Sequence, residues 1–122
     1  MQGSRLLPLC GLLLAMAGCA LFIPKETRYL KGAEGQATED EVRQELGPPM
    51  FTETQAGTTI WVYQVREHFA GARSLVAGAW CDEYVLTFDE RAVLRGWTHK
   101  SFFHGGEVMP TYCVTDGFKP PS

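Results

Sequence analysis

The sequence has little positive charge, which argues against one large class of partner. Lys and Arg number 11 against 14 Asp and Glu, so the formal net charge is −3 at pH 7. Nucleic-acid-binding domains usually carry a basic patch and a basic isoelectric point. Because the chain contains no cluster of Lys and Arg, we expect no nucleic-acid partner.

The chain also lacks the length of a large enzyme fold and the long apolar run of a spanning helix. Its 122 residues are too few for a TIM barrel or a doubly wound dinucleotide-binding fold. The N-terminal apolar stretch, Leu6–Ala17, is shorter than the roughly 20 residues that cross a bilayer. At 45% hydrophobic residues, however, the chain is too apolar to be wholly disordered. These features predict one small globular domain.

Recognisable spacings for a nucleophilic triad or a structural zinc site are missing as well. A Cys₂His₂ set is conceivable in principle from Cys81, His99, His104 and Cys113, but these cysteines lack the close pairing typical of structural zinc. We therefore expect no metal, no small-molecule substrate and no catalytic activity. A triad assembled in space from distant residues stays open at this stage.

The N-terminus has the layout of an export signal that ends in a lipid-attachment site. Arg5 precedes the apolar stretch, so residues 1–18 are predicted to be a cleaved signal peptide. Met16-Ala17-Gly18-Cys19 resembles a bacterial lipobox, which implies cleavage before Cys19 and a covalent lipid on it. A plain signal peptide with an incidental cysteine is the alternative.

The residue after the lipid-attachment site predicts where the chain is sorted. Ala20 resembles the outer-membrane pattern of hosts with two membranes, because lipoproteins retained at the inner membrane commonly carry Asp there. The expected location is therefore the periplasmic face of the outer membrane, with the lipid as the membrane contact. Residues 19–34 are predicted to hold the lipidated Cys, a tether and a short first helix.

Local signals define a second helix over about 39–46. Thr38 and Glu41 form a capping box at its start, and Gly47 suits its C-terminal cap. Pro48-Pro49 cannot continue a helix. Both the start and the end of this helix are therefore predicted by local sequence signals.

Three strands are predicted after this helix. Residues 58–65, 83–88 and 92–99 are rich in β-branched and aromatic side chains, and 66–79 is predicted to be a loop. The fold class is therefore α+β, with two N-terminal helices packed on a three-stranded antiparallel sheet in two layers (ααβββ). The expected core face of the sheet consists of Trp61, Tyr63, Tyr84, Leu86, Phe88 and Leu94.

A set of residues between Gly35 and Trp97 resembles the BamE (SmpA/OmlA) family of outer-membrane lipoproteins. The resemblance lies in Gly35, Thr38, Val42, Leu46-Gly47-Pro48-Pro49, Gly57, Trp61, Tyr63, Leu86-Thr87-Phe88-Asp89 and Val93-Leu94. It implies a BamE-like domain over residues 35–103, a lipid tether, and a non-catalytic role beside subunits of the β-barrel assembly machinery. The segment over 66–80, which is longer than in the family and includes Trp80, and the tail containing Cys113 depart from the family pattern.

A second function remains open alongside that docking role. The same ααβββ unit, when doubled, resembles protein inhibitors of β-lactamases, so an inhibitor or sensor of a periplasmic enzyme is the alternative. Trp80 and Trp97 are the candidate contact residues in either case. Because Trp97 follows Leu94 by an odd number of residues, regular alternation predicts that it faces away from the helices.

The last prediction concerns the tail, residues 104–122. Cys10 leaves with the signal peptide and Cys19 is acylated, so Cys81 and Cys113 remain. An even number of cysteines in an exported chain favours a disulfide, with two free thiols as the alternative. We expect the bond to pin the tail along an edge of the sheet.

Overall fold

A computed structural model describes residues 23–69, 78–106 and 108–120. The predicted signal peptide, the lipobox-like motif and the predicted lipid-attachment residue Cys19 lie outside these residues. The structure therefore does not test those predictions. The chain divides into two compact units, residues 1–32 and 33–122. Within the described ranges, no helix is long and apolar enough to cross a membrane.

Two helices precede the sheet. Helix α1 spans Lys25–Ala33 and begins after Pro24, whose carbonyl accepts from the Arg28 N–H at 3.1 Å. Proline suits such a start because it has no N–H of its own to leave unpaired. The second helix, α2, spans Glu39–Leu46, as its capping residues predicted.

Both ends of α2 are fixed by the residues that the sequence singled out. Thr38 Oγ1 accepts from the Glu41 N–H at 3.3 Å and donates to Glu41 Oε1 at 3.2 Å. Gly47 adopts a φ of +84°, and its N–H donates to the Arg43 carbonyl. Because a positive φ is strained for residues with a Cβ, glycine suits this cap. Pro48 and Pro49 then carry the chain away from the helix.

The sheet has four strands, so the three-stranded prediction is wrong. The strands are β1 (Phe51–Gln55), β2 (Thr58–Phe69), β3 (Gly78–Phe88) and β4 (Leu94–His104). They are antiparallel and lie in the order β1-β2-β3-β4. Strands β2 and β3 are therefore the inner pair.

The missed strand, β1, is joined to β2 by a tight turn with an uncommon sequence. Ala56 and Gly57 have φ angles of +54° and +80°, as the two central residues of a type I′ hairpin turn require. Asn-Gly or Asp-Gly is the usual sequence of this turn. Because Ala56 stands at the first position, the sequence does not indicate a hairpin here. Strand β1 also carries few apolar side chains, because it is a half-exposed edge.

The central strands are longer than predicted, so the expected loop over 66–79 is wrong at both ends. Arg66 pairs with Cys81, and Phe69 pairs with Gly78. The added positions mix charged, small and aromatic residues and lack a clear alternation, whereas the pairing itself is made by backbone hydrogen bonds. Residues 70–77 lie outside the described residues.

A bulge at the start of β4 reverses the predicted side for Trp97. Leu94 pairs with Phe88, but Gly96 pairs with Thr87, so Arg95 has no opposite residue. One extra residue shifts the alternation by one position. Trp97 therefore lies opposite Leu86 and shares the face of Leu94, against the prediction.

The predicted core is confirmed on the face of the sheet that α2 covers. Tyr63 Oη donates to the Gly47 carbonyl at 2.8 Å, and the Arg43 guanidinium lies 5.0 Å from the Trp61 ring centroid. Val42 of α2 is fully buried. All six predicted core residues are buried: Trp61, Tyr63, Tyr84, Leu86, Phe88 and Leu94.

The tail covers the opposite face of the sheet and not its edge. Cys81 is bonded to Cys113, and Cys81 lies on the inner strand β3, one position out of phase with Trp80 and Asp82. Its side chain consequently points away from the α2 side. The tail therefore forms a layer of its own within the second unit, which the edge prediction did not anticipate.

Candidate docking surface

The α2-side face of the sheet continues along β3 and β4 past Tyr84. Here Trp80 pairs with Phe103, and Asp82 pairs with Ser101. Opposite residues of an antiparallel pair lie on one face with their Cβ atoms close together. We call the cluster of Trp80, Asp82, His99, Ser101 and Phe103 the distal face.

The aromatic half of the distal face is an exposed tryptophan supported by a phenylalanine. Trp80 is 40% exposed, and its ring centroid lies 5.2 Å from that of Phe103 in a tilted arrangement. Such pairs gain energy beyond simple burial, so the Trp80 ring is held in place while much of it stays accessible. Tryptophan is among the residues most enriched at energetically important positions of protein interfaces.

Gly78 makes room for this pair. A Cβ at this position would lie 2.5 Å from the Phe103 ring and 2.6 Å from the His104 carbonyl oxygen. The sequence analysis had assigned Gly78 to a loop and missed this role. Only the pairing of β3 with β4 shows why a larger residue is disfavoured there.

The polar half of the distal face is a Ser–His–Asp cluster. His99 Nε2 lies 2.8 Å from Asp82 Oδ1 and 3.3 Å from Ser101 Oγ, and Ser101 Oγ donates to Asp82 Oδ1. The His99 ring also stacks on Tyr84, with centroids 4.4 Å apart and planes within 2°. This cluster could not be predicted from the sequence, because its members meet only through the strand register.

The cluster differs from a nucleophilic triad in how its histidine is used. In such a triad one ring nitrogen takes the serine proton while the other binds the carboxylate. Here the same nitrogen, His99 Nε2, contacts both partners, and the Ser101 hydroxyl is bonded directly to Asp82. This geometry ties β3 to β4 and supplies a polar rim beside Trp80.

Of the two predicted contact residues, Trp80 is the exposed one. Trp97 is half-buried, and its ring centroid lies 6.5 Å from that of Tyr84. Both tryptophans lie on the same face, on neighbouring strands. The predicted motif residues Thr38, Glu41 and Gly47, by contrast, are engaged in capping the two ends of α2.

The four zinc candidates do not converge. Cys81 and Cys113 are bonded to each other, with their Cα atoms 6.0 Å apart. His99 points to the α2 side of the sheet, whereas His104 contacts the tail through the Cys113 carbonyl at 2.5 Å. Across the described ranges, no group of three or more His, Cys, Asp or Glu residues is placed to hold a metal ion.

No family model, curated protein or solved structure matches the chain. Function must therefore be inferred from the residues themselves. Two features bear on it: the lipobox-like motif at Cys19 and the aromatic and polar surface beside Trp80.

Proposed function

We propose that the protein is a lipid-anchored, non-catalytic docking module on the periplasmic face of the outer membrane. The observation that carries the proposal is the Trp80 ring, which is 40% exposed yet supported by Phe103. An aromatic anchor beside hydrogen-bonded polar groups has the composition of a protein interface. Asp82, His99 and Ser101 supply those polar groups.

The lipid anchor compensates for the small area of the docking surface by keeping the protein close to its partner. The multiple acyl chains of a bacterial lipoprotein on Cys19 anchor it stably, whereas a single chain binds a bilayer only marginally. Attachment to the same membrane as the partner raises the effective concentration of the two proteins. A contact built around one tryptophan is then enough to keep them together.

The resemblance to the BamE family favours a particular partner class, the subunits of the β-barrel assembly machinery. Part of the resemblance lies in the capped helix α2 and in the Leu46–Pro49 segment at its end. Strand β1 and the tail-covered face go beyond the ααβββ pattern. The alternative, an inhibitor or sensor of a periplasmic enzyme, needs a soluble partner instead.

A cross-linking pull-down from membranes tests the proposal. We expect the wild-type chain to capture barrel-assembly subunits and Trp80→Ala to capture at least about tenfold less, because loss of a central aromatic anchor typically costs 2 kcal/mol or more. Val108→Ala is the matched control, since Val108 is 93% exposed and lies in the tail. Equal capture by Trp80→Ala contradicts the distal face as the contact, and capture of a soluble periplasmic enzyme favours the alternative.

A further inference from the structure

The face of the sheet opposite α2 carries charged side chains that hold the main chain of the tail. Arg66 Nη2 donates to the Thr111 carbonyl at 2.9 Å and to the Pro110 carbonyl at 3.3 Å. Lys100 Nζ donates to the Asp116 carbonyl at 2.7 Å. We call the residues Gln64, Arg66, Cys81, Glu83 and Lys100 the tail face.

A buried carboxylate completes this set. Glu83 is only 2% exposed, and both of its carboxylate oxygens lie 2.9 Å from the Phe118 N–H. A buried charge is costly unless it is hydrogen-bonded, and here a peptide N–H of the tail supplies the bond. Gly117 permits this approach, because a Cβ there would lie 2.6 Å from Glu83 Oε2.

Few tail side chains take part in the recognition. Cys113 and Val114 are buried, and the Phe118 ring lies 5.2 Å from the Phe51 ring. A turn closed by the Gly117 N–H and the Val114 carbonyl brings the small apolar pair and the phenylalanine to their places. The tail thus offers peptide carbonyls, one N–H and three apolar side chains to the sheet, which is how a short peptide is presented to a receptor.

The disulfide is the covalent part of this attachment, and other contacts remain without it. Cys113 Sγ lies 3.3 Å from Gln64 Oε1, so the free thiol of a reduced tail has an acceptor in place. The contacts of Arg66, Lys100 and Glu83 are likewise independent of the bond. Once the bond is reduced, these non-covalent contacts alone hold the tail on the tail face.

We propose that the tail face is a peptide-binding surface, occupied by the chain's own tail and locked by the Cys81–Cys113 bond. A protein dithiol opens it by reducing the bond to two thiols and becoming a disulfide itself. The occupant is then a segment of a partner protein that offers free carbonyls to Arg66 and Lys100. Along its sequence this segment carries a small apolar residue, a turn and an aromatic residue, in the same order as Val114, the turn at Gly117 and Phe118 in the tail. This surface is separate from the distal face and does not depend on the docking proposal.

Covalent capture of a peptide by Cys81 tests the proposal. The probe is a peptide of residues 108–120 whose Cys113 carries glutathione, and the protein is the full chain with Cys113→Ser. The Cys81 thiolate attacks the peptide sulfur, a new disulfide forms, and glutathione leaves as its thiolate. Mass spectrometry follows the adduct, and peptide mapping assigns it to Cys81.

Two control peptides and one control protein make the result specific. We expect the tail peptide to react about tenfold faster than the same peptide with Phe118→Ala, a difference of about 1.4 kcal/mol, because the half-buried Phe118 ring packs against Phe51. A scrambled peptide should react more slowly still, and the oxidised wild-type chain should not react.

Equal rates for the tail and scrambled peptides, or no adduct at Cys81, overturn the proposal. Hydrogen exchange of the β2 and β3 amides checks that Cys113→Ser is folded. If Cys113→Ser has lost this protection, the rates of the tail and scrambled peptides are compared on the reduced wild-type chain instead. Equal rates there likewise overturn the proposal.

Discussion

At position 78 the lack of a side chain shapes the distal face. Gly78 leaves room for the Phe103 ring, which in turn supports Trp80. Similarly, Asp82, His99 and Ser101 acquire their contacts only because β3 and β4 pair in one register. The candidate site was therefore only partly predictable: Trp80 stands out in the sequence as an aromatic residue, but its supports are set by pairing.

We predict that Gly78→Ala destabilises the protein. The added methyl group would meet both the Phe103 ring and the His104 carbonyl, and overpacking of this kind costs about 1–3 kcal/mol. Gly105→Ala is the control, because its Cβ would lie 3.6 Å from Phe103, an ordinary contact. Denaturant unfolding measures both variants, and equal free energies of unfolding would show that the Gly78 site relaxes freely.

Asp89 gives the β3–β4 hairpin a predictable dependence on acid. Hydrogen bonds from the Val93 N–H, from the Arg95 side chain and from the Arg91 N–H lower the pKa of this carboxyl against a smaller opposing effect of desolvation. Because the folded pKa is below the unfolded one, Asp89 stabilises the fold above the ordinary aspartate value of about 3.9. That stabilisation is lost as the pH falls through the folded pKa.

We therefore expect Asp89→Asn to reduce the loss of stability on acidification below about pH 4. Urea unfolding at a series of pH values gives the slope for each protein. Glu90→Gln is the control, since Glu90 is the exposed neighbour in the same turn. If the free energy of unfolding of Asp89→Asn falls with pH as steeply as that of wild type, Asp89 does not contribute to the acid sensitivity.

At the scale of elements, local signals predicted some features and long-range pairing determined the rest. The ends of α2 follow from Thr38, Glu41 and Gly47, whose contacts are within the helix and its caps. Strand β1 was missed because the Ala56-Gly57 turn lacks the usual residues. The bulge at Arg95 has no sequence signal of its own, and it alone changes the side on which Trp97 lies.

The packing of α2 on the sheet predicts the cost of losing Trp61. This side chain is 3% exposed and contacts Phe88 with ring centroids 4.7 Å apart. Trp61→Ala should lower the free energy of unfolding by about 3–5 kcal/mol. Val108→Ala, at a highly exposed position, should leave it nearly unchanged. A Trp61→Ala thermal melt that matches wild type would mean that the stability of the fold does not depend on the packing of Trp61.

For the molecule as a whole, the Cys81–Cys113 bond joins the tail to the sheet across a sequence separation of 32 residues. A loop of this length gains roughly 3–4 kcal/mol in the chain-entropy description. We expect the unreduced, denatured protein to have no alkylatable thiol at either cysteine. After reduction the tail should become more sensitive to protease.

Alkylation followed by mass spectrometry reports on each cysteine separately. Two modified thiols, at Cys81 and Cys113, in the unreduced exported protein would contradict the bond. A tail cleaved equally fast before and after reduction would show that the bond does not restrain it.

The proposed attachment of the whole molecule to a membrane depends on one residue, Cys19, which lies outside the described residues. Metabolic labelling with palmitate, followed by membrane fractionation, tests this attachment most directly. We predict that the wild-type chain is labelled and found with membranes, whereas Cys19→Ala is neither. Cys81→Ala, which removes a cysteine of the mature domain, should keep its label. Label that persists in Cys19→Ala would contradict the lipoprotein assignment, and with it the docking function proposed for this protein.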